Sequence, residues 1–221
     1  MATNIETLFE NLVHVGHQAE RWNPKMKKYL FEKKNGIWVF DLEKTVEAIG
    51  KVNGFLKALK LQNKKVLFVG TKPQTALFVR KLVEPKGHFL VDKKWTPGLL
   101  TNFKELRKRI DYYLDLKRQF ESGDINKYTK KEVAKFRKDL DKLDASYHGV
   151  AEMRKRPDAV IVLDSVTDRI AIDEAISAKI AVVAIADANA NPDGIDYIVP
   201  GNDDAMKSIE FLTQNMIKSL E

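Results

Sequence analysis

Six short apolar runs, at residues 37–40, 66–69, 88–91, 159–163, 180–186 and 197–199, constrain this chain more than any other feature. Most are continuous rather than alternating, as expected of strands covered on both faces. The segments at 42–61, 73–84, 168–178 and 203–219 read as helices between them. Strand–helix–strand repetition predicts an α/β fold with a parallel sheet and helices on both sides. The turns agree. Gly70-Thr71-Lys72-Pro73 puts glycine at a strand end and proline near the first helical turn, and Asp164-Ser165 follows another strand.

One stretch breaks the alternation. From Thr101 to Tyr147 there is no strand pattern. Phe103, Leu106, Ile110, Tyr113 and Leu114 recur at three- and four-residue steps, and so do Val133, Phe136, Leu140, Leu143 and Tyr147. Glu121-Ser122-Gly123-Asp124 between them is turn chemistry. The pattern predicts two antiparallel helices joined along an apolar seam, a coiled-coil hairpin. The expected division is a sheet domain over 1–100 and 148–221, with the hairpin inserted at 101–147. Its 13 cations and 9 anions between Lys104 and Asp144 suit a contact arm, either for a large ligand or for a second copy of the chain.

Charge is distributed unevenly. The chain of 221 residues carries a net charge of +7, yet residues 157–221 hold 4 basic and 12 acidic side chains. The surplus of cations therefore lies entirely in residues 1–156, the pattern of a chain that meets a polyanion on one side. Between Arg21 and Lys34 there are six cations and one Glu, interleaved with Trp22, Tyr29 and Phe31. Lys93-Lys94-Trp95 repeats the theme, and Arg107-Lys108-Arg109 and Arg154-Lys155-Arg156 add two triplets. Cations release counterions from phosphates, and exposed aromatic rings stack on unpaired bases. The expected phosphate contacts are Arg21, Lys25, Lys27, Lys28, Lys94, Arg107, Lys108, Arg109, Arg154, Lys155 and Arg156. Trp22 and Trp95 are expected either to stack on RNA or to fill the core. The acidic C-terminal third is expected to face solvent or a protein partner.

A complete catalytic constellation is missing. There is no G-x-G-x-x-G, no Walker-type loop and no G-x-S-x-G elbow, and with 0 Cys there is neither a thiol nucleophile nor a disulfide. Gly70-Thr71-Lys72 after a strand reads as a plain βα turn, with a phosphate cradle as the sharper alternative. His14 and His17 lie on one face only if their segment is helical, and with Asp187, Asp203 or Asp204 they make a weak metal motif. The bland reading is one packed imidazole and one hydrogen-bonded one. The other rivals to RNA binding are a nucleotide- or metal-binding module and a dimerising scaffold. No run of about 18 apolar residues is present, so a spanning helix is not expected. The start, Met1-Ala2-Thr3-Asn4-Ile5-Glu6, has neither the basic nor the apolar part of a secretory leader.

The local strings also resemble a known family. His14-Val15-Gly16-His17 running to Trp22-Asn23-Pro24-Lys25-Met26, Leu42-Glu43-Lys44-Thr45, Leu67-Phe68-Val69-Gly70-Thr71-Lys72 and Leu100-Thr101-Asn102 are similar, in order and spacing, to the bacterial-type ribosomal protein S-two family of the small subunit. So are Pro157-Asp158-Ala159-Val160, with Asp164, Asp168, Ile172, Glu174 and Lys179-Ile180-Ala181 beyond it, and Pro200-Gly201-Asn202-Asp203-Asp204-Ala205. The chain departs at Thr96-Pro97-Gly98, where bacterial members usually carry Leu-Gly-Gly. The resemblance implies a flavodoxin-like, Rossmann-like parallel sheet carrying a helical hairpin, with no enzyme activity and no cofactor. It implies binding to small-subunit ribosomal RNA, contact with neighbouring ribosomal proteins, and in many members docking of the large messenger-binding protein. The location it implies is the cytoplasmic ribosome, or an organellar one, away from any membrane.

Overall fold

The computed structural model describes residues 4–221, for Leu77 the backbone alone. Residues 1–3, on which the reading of the chain's start partly rests, lie outside the described residues. Five parallel strands form the centre: β4 (Val66–Val69), β5 (Phe89–Val91), β6 (Ala159–Val162), β7 (Ala181–Ala186) and β8 (Tyr197–Pro200). Their spatial order is β5-β4-β6-β7-β8. Counted among themselves they run 2-1-3-4-5, the doubly wound order of flavodoxin-like sheets. The sequence reading of these five runs holds to within a residue at each end.

Each of β4 and β6 is buried along its whole length, which explains why the runs are continuous. Successive side chains point to opposite faces. Val66, Phe68, Ile161, Val183 and Ile185 pack on one side with α2 (Leu42–Leu61), α3 (Pro73–Val83) and α7 (Met206–Ser219). Leu67, Val69, Val160, Val162 and Val182 pack on the other with α6 (Arg169–Ser177) and the hairpin helices. Full burial of each such side chain contributes about 1.5–3 kcal/mol relative to exposure.

The hairpin consists of α4 (Phe103–Ser122) and α5 (Lys130–Tyr147). Tyr113 reaches Asp144 at 2.8 Å and Arg137 lies over the Phe120 ring, so the two helices run antiparallel. The turn lies later than expected. α4 continues through Ser122, a short 3-10 turn covers Asp124–Lys127, and α5 opens on a Thr129–Glu132 capping box. Ile110, Tyr113 and Tyr147 are buried in the same apolar cluster as the sheet, while Val133 and Phe136 near the turn are only half-buried. Two helices alone cover only part of each other, and the base is dry because the sheet supplies the third wall.

The run at 37–40 is a strand, but in a different sheet. β1 (Val15–Gln18), β2 (Leu30–Lys34) and β3 (Ile37–Phe40) form an antiparallel ribbon in the order β1-β3-β2, preceded by α1 (Ile5–Glu10). The reason is the two-residue turn Asn35-Gly36, both with positive φ (50° and 80°), which closes a tight hairpin. The ribbon lies against the ends of β7 and β8. Asn23 N–H, in the link between β1 and β2, donates to Ala188 O (2.8 Å), and Asn202 N–H beyond β8 donates to Val13 O just before β1 (3.1 Å).

Candidate nucleic-acid interface

The block at 21–34 folds so that its apolar residues, Phe31 excepted, face in and its cations face out. The 3-10 segment Pro24–Tyr29 turns Met26 into a small core with Phe40, Ala186, Ala188 and Ala190. Arg21, Lys25, Lys27 and Lys28 are left exposed, and β2 follows with Phe31, Lys33 and Lys34 exposed on an edge strand. Lys28 Nζ sits 4.9 Å from the Tyr29 ring, and Lys25 pairs with Asp193. Trp22 is half-buried with its ring 4.7 Å from that of Trp38, so it is largely a packing residue. Phe31, 71% exposed, presents the more open aromatic face. Its exposure follows from strand alternation after the buried Leu30, a signal hidden while residues 30–34 were not read as a strand.

The two cationic triplets, far apart in sequence, meet at the hairpin base. Arg154 Nη1 is 3.8 Å from Asp111 on α4, and Arg156 Nη2 donates to Thr101 O at 3.4 Å. Arg109, Lys108, Arg154, Lys155 and Arg156 are exposed, with Lys108 also held by Glu105 at 2.9 Å. Arg107 is different. Its Nη1 donates to Ala151 O (2.8 Å) and Met153 O (2.9 Å), and Nε and Nη2 both reach Asp111. That guanidinium is spent on joining α4 to the segment after α5, so the expected phosphate contact at Arg107 is corrected to a structural clasp.

Trp95 takes the core place among its two expected ones. It is 7% exposed, and its Nε1 donates to Glu174 Oε1 at 3.0 Å, so it offers no face to a base. Neighbouring Lys93 and Lys94 remain exposed. Sequence reasoning noted Glu174 only within a matching string and gave it no role. Its carboxylate also accepts from the backbone N–H of Gly98 (2.6 Å), Leu100 (3.0 Å) and Thr101 (3.3 Å), gathering the loop that leads into α4. Burial pushes its pKa up, but the donors of Trp95 and these amides outweigh that and hold it below the ordinary value.

At the strand ends where a doubly wound fold would take a nucleotide, the space is used internally. A Cβ on Gly70 would meet Leu163 Cδ1 at 3.0 Å, so this glycine serves close packing between β4 and β6. Thr71 Oγ1 donates to Asp168 (2.8 Å), and Lys72 Nζ contacts Asp164 (2.7 Å), Asp203 (3.2 Å) and Asp204 (2.7 Å). Burial opposes the charge on Lys72, yet the carboxylates prevail and raise its pKa. Asp203 is pushed up to about 8 by burial and by repulsion from Asp164 and Asp187. The two N-terminal histidines flank and join a strand, not a helix. His14 stacks on Phe9 with centroids 4.2 Å apart, and burial lowers its pKa. His17 Nδ1 lies 3.0 Å from Asp187, whose hydrogen bond raises its pKa. No described helix is long and apolar enough to cross a membrane.

The comparisons with known proteins agree with this architecture over almost the whole chain. Residues 8–221 match the family described as Ribosomal protein S2. The small ribosomal subunit protein uS2 of Dehalococcoides mccartyi is 40% identical over 218 residues, covering 99% of this chain and 89% of that one. With a helix-flanked parallel sheet and a match spanning nearly every residue, the chain belongs to the ribosomal protein S2 family, whose role is structural rather than enzymatic.

Proposed function

We propose that this chain holds small-subunit ribosomal RNA on two cationic surfaces, the outer face of residues 21–34 and the patch at the hairpin base. It is a structural component of the small ribosomal subunit, supports translation in the cytoplasmic ribosome, and is not an enzyme. The contacts are to phosphate, so they position the protein on RNA rather than read sequence. Arg21, Lys27, Lys28, Lys94, Lys108, Arg109, Arg154, Lys155 and Arg156 carry them, with Lys25 recruited from its pair with Asp193. Phe31 and the open edge of Trp22 supply stacking. Residues 101–147 act as an arm inserted between the two parts of the sheet domain, 1–100 and 148–221. Neighbouring proteins of the subunit, among them its large messenger-binding protein, are the remaining partners.

The single observation that carries this reading is the meeting of the two triplets. Arg154 at Asp111 and Arg156 at Thr101 O bring cations from both sides of the hairpin to one exposed patch. Filter binding of the full chain to small-subunit ribosomal RNA across a salt series tests it. The expected result is a steep linear fall of log K with log salt; a slope near zero would exclude the phosphate contacts.

A further inference from the structure

Where the hairpin returns to the sheet, a network of polar side chains stands apart from the RNA-facing cations. α5 ends at Tyr147, and the short 3-10 turn His148–Val150 then lies against β5. The approach is close, since a Cβ on Gly149 would meet Leu90 O at 2.3 Å. His148 Nδ1 is 2.7 Å from Asp144 O and, facing a carbonyl, carries its proton and donates there. The carboxylate of Asp144 accepts from Tyr113 OH on α4 (2.8 Å), so the turn is tied to both hairpin helices. The proton that comes and goes on His148 is therefore the one at Nε2. Two charged groups face that nitrogen: Asp92 Oδ1, just past β5, at 3.1 Å, and Arg80 Nη2 on α3 at 2.6 Å. Asp92 is buried. Its Oδ2 accepts from Arg80 Nε (3.0 Å), whereas its Oδ1 has no hydrogen-bond donor among the described residues unless His148 supplies one. The Arg80 side chain is 36% exposed and also approaches Glu84 (3.7 Å).

The two protonation states hold different partners. Neutral His148 offers the Nε2 lone pair to Arg80 and leaves Asp92 Oδ1 buried without a donor, which is costly. Charged His148 donates from Nε2 to Asp92, while Arg80, repelled by the imidazolium, keeps Asp92 Oδ2 and turns toward Glu84 and water. We propose that His148 is a proton-operated latch: with Nε2 protonated it fastens the end of α5 to Asp92 beside β5, and on losing that proton it changes partner to Arg80 and loosens the base of the hairpin. Its place at the C-terminus of α5 also favours the charged form, because the last carbonyls of a helix carry partial negative charge. The hydrogen bond to Asp92 raises the pKa of His148 above the ordinary 6.5, with burial and Arg80 opposing. A raised folded value means that the latch stabilises the chain fully below the unfolded value, and that this contribution is lost as pH rises through the folded one. The latch acts within the protein itself, whether or not RNA is bound.

Proton NMR of the full chain across a pH series tests the latch. The chain has 4 histidines, and the ring signal of His148 is the one that His148→Gln removes. Its midpoint should lie above the ordinary histidine value. Asp92→Asn should lower that midpoint and Arg80→Gln should raise it, opposite shifts that a merely packed imidazole would not give. Should Asp92→Asn fail to fold, the exposed change at Arg80 carries the same test. Amide hydrogen exchange at residues 144–153, corrected for the intrinsic effect of pH, reads the loosening directly. Protection there should fall between about pH 6 and pH 9, by about tenfold for each unit by which the folded midpoint exceeds the unfolded one. His148→Gln should abolish that pH dependence. A midpoint at or below the ordinary value, a midpoint that Arg80→Gln fails to raise, or protection that does not change with pH in the parent chain would each overturn the latch.

Discussion

The N-terminal two-thirds and the C-terminal third use charge in opposite ways. In the first, cations such as Lys27, Lys28, Arg109 and Lys155 are exposed. In the second, Asp164, Asp168, Glu174, Asp187 and Asp203 are buried, five of the twelve acids between 157 and 221. The expectation that the acidic third turns its charge to solvent or a partner is therefore corrected in part. Asp164 accepts from Val166 and Thr167 N–H, Asp168 from Thr71, and Glu174 from the loop at 98–101. These carboxylates hold loops at one end of the sheet, where backbone N–H groups lack strand partners. Formal charge along a sequence is thus no guide to surface charge until burial is known.

The sharpest way to break that contrast is to neutralise a buried acid. Glu174→Gln puts an NH₂ group against donors that need an acceptor, and should cost about 3 kcal/mol in urea unfolding. Because the pKa of Glu174 is lowered in the folded chain, its stabilisation is present above the ordinary carboxylate value near 4.5 and is lost as pH falls through the folded value. The gap between parent and variant should accordingly be full at neutral pH and shrink in acid. A gap that stays constant through the acid range would show that the charge of Glu174 is not what holds the loop.

The complementary change removes exposed cations. Arg109→Gln, Arg154→Gln and Lys155→Gln together should lower the slope of log K against log salt by about 2 and weaken RNA binding about a hundredfold at 0.1 M salt. Unfolding free energy should move by less than about 0.5 kcal/mol per site. A loss of stability without a change in slope would place these side chains with the structural charges instead.

How much of this was legible without coordinates follows the same division. The five parallel strands and α2 could be read almost to the residue, because burial on both faces leaves uninterrupted runs such as Val66–Val69. Of the ribbon only Ile37–Phe40 was legible; its other two strands were missed because Val15–Gln18 and Leu30–Lys34 are mostly polar, although Asn35-Gly36 is a recognisable hairpin turn. At the interface, the cations were legible as a set and not individually. Nothing in Arg107-Lys108-Arg109 distinguishes the first from the third. The difference arises only where α4 presents Arg107 to the carbonyls of Ala151 and Met153. Trp95 was ambiguous for the same reason, since a partner 79 residues away at Glu174 decides its fate.

Arg107 offers a smaller test of the boundary between the two uses of charge. Arg107→Gln loses both carbonyl contacts and the pair with Asp111, and should destabilise the chain by about 2 kcal/mol. Its effect on the salt slope should be close to zero, unlike that of Arg109 a half-turn away. Equal effects of the two single variants on the slope would return Arg107 to the RNA-facing set.

The smallest expected effect sits where the two regions touch, at Lys25 and Asp193. Both side chains are more than half exposed, so their pairing adds less than about 1 kcal/mol to stability. For RNA the same pair matters in sign rather than size. Asp193 holds Lys25 in the free chain, and a phosphate must compete with it. Asp193→Asn removes that competition and should tighten binding at low salt, steepening the salt slope by less than the roughly 0.7–0.9 of one whole phosphate contact. Lys25→Gln should lower the slope by no more than that amount. If Asp193→Asn instead weakens binding, Asp193 positions Lys25 for the phosphate rather than competing with it, and this carboxylate belongs with the acids that organise the basic surface.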